Sequence, residues 1–220
     1  MLNDNGYLFV PEKENQTVTR IYIVMTAANT RSAKAYRALT GSDYDHVAVS
    51  FNKNLSVMYS FAKTRRDIPL AGGFVSEYPS RFLAEGGDVP VKVFTIEADE
   101  EEYLRVRDVI RRMKTHPQIY TYNIYEKAAS LFDGSCRISR SYTDLSFVCR
   151  LMRFGNIKSY NELGFILGPY LTYEGTLNEI AGGDEYHGAE YFDEVSPVRS
   201  FSTSALYSIK LLGRKIYESV

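Results

Sequence analysis

The feature that most constrains this chain is the run Tyr44-Asp45-His46-Val47-Ala48-Val49-Ser50-Phe51, a short alternating segment that opens on a histidine. Val47, Val49 and Phe51 share one face, and His46, Ala48 and Ser50 share the other. That period of two belongs to a half-buried strand, so the chain must build a sheet with a core against the valine face. His46 then points away from the main apolar face. Its ordinary pKa of about 6.5 suits proton exchange near neutral pH, and it equally suits a histidine hydrogen-bonded at a strand start.

The neighbouring segments supply the rest of such a sheet. Arg20 to Ala27 is apolar on both faces, as a central strand should be. Asn29 or Thr30 can cap a helix over Ser32 to Leu39, which Gly41 ends. After the turn at Asn52-Lys53-Asn54, Leu55 to Ala62 reads as the second arm of a hairpin, with Leu55, Val57, Tyr59 and Phe61 on one face and Met58 and Ser60 on the other. Gly72-Gly73-Phe74 marks a place where backbone can approach closely, and Val89 to Glu97 is a further strand. Asp99 caps a helix with Tyr103, Val106, Ile110 and Met113 on one stripe, acids at its start and Arg111, Arg112 and Lys114 at its end, as the helix dipole favours.

Further helices are expected from Tyr120 to Leu131, from Tyr142 to a stop at Gly155, and from Ser204 to Tyr217. Residues 170–200 are rich in Gly, Tyr and acid and read as irregular. The expectation is an α+β fold, a small, mostly antiparallel sheet packed with helices. Residues 1–19 form an N-terminal arm, 20–168 the domain and 169–220 a Tyr-rich acidic extension with a terminal helix.

Composition narrows the function. The net charge of −1 over 220 residues supplies no field to hold nucleic acid, and Lys63, Arg65 and Arg66 are too few for multiple phosphate contacts. No apolar run reaches the ~18 residues of a membrane span, and the first residues lack a signal peptide's layout, so a cytoplasmic location is expected. Cys136 and Cys149 are too few for a disulfide framework or a zinc site and read as free thiols. The 18 Tyr and 12 Phe, with no Trp, suit interfaces as well as cores. No motif calls for a cofactor.

Tyr44-Asp45-His46-Val47-Ala48-Val49, the second-arm run Val57-Met58-Tyr59-Ser60-Phe61, Gly72-Gly73-Phe74 and, later, Tyr142-Thr143-Asp144-Leu145-Ser146-Phe147-Val148 occur in an informative order. Over roughly residues 20–155 this order resembles the circularly permuted NlpC/P60-type papain-like cysteine hydrolases, the YiiX-like branch. That resemblance implies a permuted papain-like fold, a catalytic histidine at His46 and a nucleophile at the start of the helix after Tyr142. The family has cysteine at this last place, and here it is Asp144. In the family a polar residue on the second strand orients the histidine, which by position would be Tyr59.

A helix start together with a nearby imidazole holds a thiol as thiolate, whereas a carboxylate stabilised in the same way is a poor nucleophile and more naturally pairs with His46. Two readings follow. In one, Asp144 is a helix-start carboxylate in a hydrolase fold that has lost its chemistry. The chain then serves as a binding or structural part of a larger assembly, a virus particle being one such, with residues 170–220 docking a protein partner. In the other, the site is a working cysteine amidase or peptidase acting on cell-wall peptide or acyl substrates, through Cys136, Cys149 or Asp144 itself. Cys149 lies on another side of the helix in a buried stretch, and Cys136 must swing from a loop. A metal site of Asp45, His46 and Asp144 is opposed by the alternation, which points adjacent residues to opposite faces. His116 reads as a helix cap and His187 as exposed.

Overall fold

The computed structural model describes residues 19–84, 86–132, 134–181 and 191–218. The long alternating and apolar segments pair as one six-stranded sheet, antiparallel at every junction, whose strands lie side by side in the order Gly72–Glu77, Met58–Lys63, His46–Ser50, Thr19–Thr26, Pro90–Ala98 and Leu171–Thr176. Its central strand is β1 (Thr19–Thr26), whose last six residues are all buried because the sheet is covered on both faces. On one side β1 pairs with β2 (His46–Ser50), setting Thr26 opposite His46 and Met25 opposite Val47. On the other it pairs along its length with β5 (Pro90–Ala98). β3 (Met58–Lys63) and β4 (Gly72–Glu77) extend the sheet beyond β2.

The two faces carry two cores. One holds Ile21, Ile23, Met25, Val47, Val49, Phe61 and Phe74 beneath three helices. These are α3 (Glu100–Thr115), α5 (Asp144–Leu151) and α6 (Tyr160–Leu167). The other holds Tyr22, Val24, Ala48, Met58, Phe82 and Val91. Phe82 comes from the short helix α2 (Pro79–Leu83). β2 separates the cores as its alternation requires, with Val47 and Val49 in the first and Ala48 in the second.

Local chemistry sets the helix ends. Thr30 caps α1 (Arg31–Thr40) by accepting the Ala33 N–H at 3.2 Å, and Gly41 ends it with φ 63°, a left-handed conformation that glycine adopts without strain. Asp99 caps α3 by accepting the Glu102 N–H at 2.8 Å. Thr143 and Ser146 form a reciprocal capping box that starts α5 and leaves Asp144 as its first helical residue.

Several expectations are corrected. Leu55 and Val57 lie outside β3: Leu55 sits in the turn with φ 56° and is buried with Met58 in the second core, on the face opposite the one alternation assigned. The Ser50 hydroxyl donates to the carbonyls of Asn52 and Val57 and so closes a wider turn than a two-residue hairpin. Of the helix expected from Tyr120 to Leu131, only α4 (Ile124–Ala129) forms. Thr121–Tyr122 (β6) pairs instead in parallel with Ser141–Tyr142 (β7). Gly72 and Gly73 belong to β4, and Gly72 is required by the close approach: a Cβ there would lie 2.4 Å from the Ala62 carbonyl oxygen.

Part of the segment expected to be irregular is regular and packed on the sheet. Leu171–Thr176 (β8) is the edge strand beside β5, and the fully buried Leu177 of α7 (Leu177–Ile180) belongs to the second core. The final helix, α8 (Pro197–Tyr217), begins seven residues earlier than expected, at a proline behind the cap Ser196. His187 and the expected arm up to Val18 lie outside the described residues.

Candidate functional site

The site stands where β2 begins. His46 is the strand's first residue, so its backbone is fixed by the pairing with Thr26 while its ring reaches the mouth of the sheet. Both ring nitrogens are engaged. Nδ1 lies 3.0 Å from Asp144 Oδ2, and Nε2 lies 2.7 Å from Glu77 Oε2. Phe82 packs beside the ring, at 5.7 Å between centroids.

Asp144 is brought there by the packing of α5 on β2. Its Oδ2 accepts the Val47 N–H at 3.0 Å and the Tyr160 hydroxyl at 2.7 Å as well as the imidazole. Its Oδ1 accepts no hydrogen bond and faces the Lys127 ammonium at 3.5 Å. Lys127, from α4, also donates to the Tyr160 hydroxyl and, at 3.1 Å, to the Asp45 carbonyl, and lies over the rings of Tyr36 and Tyr160.

Glu77 ends β4 directly opposite Met58, on the face that also carries Ser60. The Ser60 hydroxyl donates to its Oε2, and Arg81, four residues on in α2, holds Oε1 at 3.3 Å. Arg81 is itself fixed by donating to the Lys63 carbonyl at 2.8 Å. Both carboxylates are almost fully buried, at 1% exposure each, and each is matched by a cation besides the histidine.

These surroundings set the protonation states. Burial alone would lower the His46 pKa, but the charges and hydrogen bonds of Glu77 and Asp144 outweigh it and raise the value to about 10. Burial alone would raise Asp144, but Lys127 and His46 hold it well below the ordinary carboxylate range. Glu77 is likewise lowered against its burial by His46 and Arg81. Tyr160 is pushed well above its ordinary value, by burial first and then by Asp144, so its hydroxyl remains a donor. At neutral pH the centre is an imidazolium between two carboxylates. Such a ring has no free lone pair with which to take a proton, and with a pKa near 10 it is also a weak acid.

Of the residues singled out in the sequence, His46 and Asp144 meet. Tyr59 does not join them: it lies on the opposite face of β3, stacked on Phe74 at 6.2 Å and beside Phe51 at 6.1 Å. Glu77 takes the place assigned to it. Alternation held the signal, because Ser60 and Met58 share the His46 face and their partners on β4 are Val75 and Glu77. Nothing in the local sequence pointed to Lys127 or Tyr160.

Asp45 turns away, accepting the Ala28 N–H at 3.0 Å and pairing with Arg37, so it offers no ligand beside His46. Among the described residues, no group of three His, Cys, Asp or Glu is placed to hold a metal ion. Neither cysteine lines the cleft of about 640 Å³ that opens over His46, Glu77 and Asp144. Burial, with help from Glu162 and Asp144, pushes the Cys149 thiol up to about 12. His116 closes α3 through its backbone N–H, which donates to Arg112 O at 3.1 Å.

No helix among the described residues is long and apolar enough to cross a membrane. Comparison of the chain with protein-family models, with curated proteins and with solved structures finds no match.

Proposed function

We propose that this chain is a hydrolase-like protein of the permuted papain-like kind whose nucleophile position is taken by Asp144, and that it acts by binding, as a component of a larger assembly. The observation that carries this reading is the position of Asp144: a carboxylate at the first turn of α5, 3.0 Å from a histidine whose other nitrogen is held by a second carboxylate. A thiol in that place would have an imidazole partner, a helix start and an orienting acid. With aspartate there, the same geometry becomes a buried ion-pair network, closed by Lys127 and Arg81. The alternative, a working cysteine amidase, needs a thiol at His46, and the thiols of Cys136 and Cys149 lie outside that cleft.

The partner-binding segment assigned to residues 170–220 contracts in this reading to α8. β8 and α7 are spent on the sheet and its second core, whereas Val198, Phe201, Ile209 and Ile216 on α8 are each at least 65% exposed.

The test is Asp144→Cys, alone and with His46→Ala, treated with iodoacetamide across pH, with the unaltered chain as the baseline for Cys136. Fast alkylation of the new thiol well below the ordinary thiol pKa of about 8.5, lost when His46 is removed, is the expected result. A new thiol that reacts no faster than an ordinary one, or regardless of His46, overturns the hydrolase-frame reading. Hydrolysis of a peptide or acyl substrate by the unaltered chain overturns the non-catalytic one.

A further inference from the structure

A second cavity, of about 780 Å³, shares Tyr36 and Lys127 with the cleft over His46 and is walled by the segment from Gly134 to Ser146, one side of α5 and the turn after it. Its volume is within the range of small-molecule sites, roughly 300–1,000 Å³. Its charge is one-sided. Among the described lining residues six are cationic and one, Glu126, is acidic.

Two of the six are engaged elsewhere, Lys127 with Asp144 and Arg153 with Glu102 at 3.8 Å. The other four, Arg137, Arg140, Arg150 and Lys158, are exposed, and among the described residues none has a carboxylate within ion-pairing distance. Arg137 donates to the Asn156 side-chain oxygen, a neutral partner. Arg150 lies at 5.7 Å from the centroid of the Tyr142 ring, an aromatic partner. Glu126 offsets part of this charge, since Arg137 acts on its carboxylate, which also accepts the Ser146 hydroxyl at 3.1 Å and the Asn123 amide at 3.4 Å; one carboxylate still leaves a basic excess at the cavity.

Four like charges around one hollow repel one another, and the chain as a whole carries no basic excess that would place them there by composition: its net charge is −1. Guanidinium groups match phosphate oxygens in pairs and strongly. The wall adds hydroxyls at Ser135 and Ser139 that can donate to the same oxygens.

We infer that this cavity is a binding site for a small phosphate compound carrying two or more negative charges, such as a diphosphate. Its enclosure by the Gly134 to Ser146 segment fits a compact anion better than a polymer, which needs an open track of charges.

Calorimetric titration with pyrophosphate and with ADP tests this, alongside citrate as a polyanion without phosphate. The variant is Arg140→Asn combined with Arg150→Gln, and the control is Arg111→Gln, an exposed arginine of α3. Asn suits position 140 because the backbone there is left-handed, with φ 54°. The expected result is saturable binding of pyrophosphate or ADP, or both, weakened roughly 10- to 100-fold by the double variant, as for lost charge-assisted hydrogen bonds, and unchanged in the control. Binding of ADP alone assigns the site to nucleotides, and equal binding of both assigns it to the diphosphate group. Circular dichroism melting of the double variant, expected within about 2 °C of the parent, separates lost binding from lost folding. Absence of saturable binding by either phosphate compound, equal binding of citrate, equal weakening in the control, or tighter binding of a short oligonucleotide would overturn the assignment.

Discussion

The ion-pair network at His46 makes stability depend on pH in a direction that can be worked out. In the folded chain the imidazole keeps its proton up to about pH 10, whereas its ordinary value is 6.5. A group raised in this way contributes its full stabilisation below the ordinary value and loses it as pH rises through the folded one. Each pH unit in that interval removes about 1.4 kcal/mol per proton, so between pH 7 and 9 the His46 contribution should fall by about 2–3 kcal/mol. Asp144 and Glu77 are lowered instead, and their contribution fades only as pH falls below their ordinary values of 3.8 and 4.5. The alkaline slope therefore belongs to the histidine.

The perturbation is His46→Asn, which keeps a polar side chain and cannot titrate. Urea unfolding of parent and variant at several pH values, followed by circular dichroism, cancels the tyrosines and lysines common to both. Circular dichroism is preferable to fluorescence because the chain has 18 Tyr and no Trp, and tyrosine emission changes as exposed phenols ionise. The parent's advantage should be largest near pH 6 to 7 and shrink steadily toward pH 9. A gap that stays constant would mean that the folded imidazole is already neutral at pH 7. Its ring would then have a lone pair free for base catalysis, and the centre would not be an imidazolium between two carboxylates.

Gly72→Ala should lower stability by roughly 1–3 kcal/mol, the usual range for overpacking, because the new Cβ would meet the Ala62 carbonyl oxygen at 2.4 Å and Tyr122 Cβ at 2.8 Å. A melting temperature equal to the parent's would refute that close approach. With a disulfide reagent at neutral pH, Cys136 should react in the folded chain and Cys149 only after unfolding, since the latter is 4% exposed and its thiol is raised to about 12. Two fast thiols per chain would show that the α5 core opens readily.

Local patterning alone determined much of this molecule. The alternation at Val47, Val49 and Phe51 set the strand and its core face, the Asp99 cap and the Val106, Ile110 and Met113 stripe set α3, and Thr30 and Gly41 bounded α1. These signals act over a few residues, where side-chain period and capping chemistry decide the outcome. The meeting of His46 with Asp144 came from a resemblance in motif order, and α5 delivers it by packing on β2.

What tertiary structure decided lies across long separations. Glu77, Lys127 and Tyr160 are 31, 81 and 114 residues from His46, and no local propensity reports which strand lies next to which. Sheet order put Glu77 rather than Tyr59 against the histidine. Edge pairing drew residues 171–176 into the sheet, although their composition reads as irregular. Pairing of Thr121–Tyr122 with Ser141–Tyr142 shortened α4 for the same reason: hydrogen bonds and burial offered by a distant partner outweigh intrinsic preferences worth only tenths of a kcal/mol per residue.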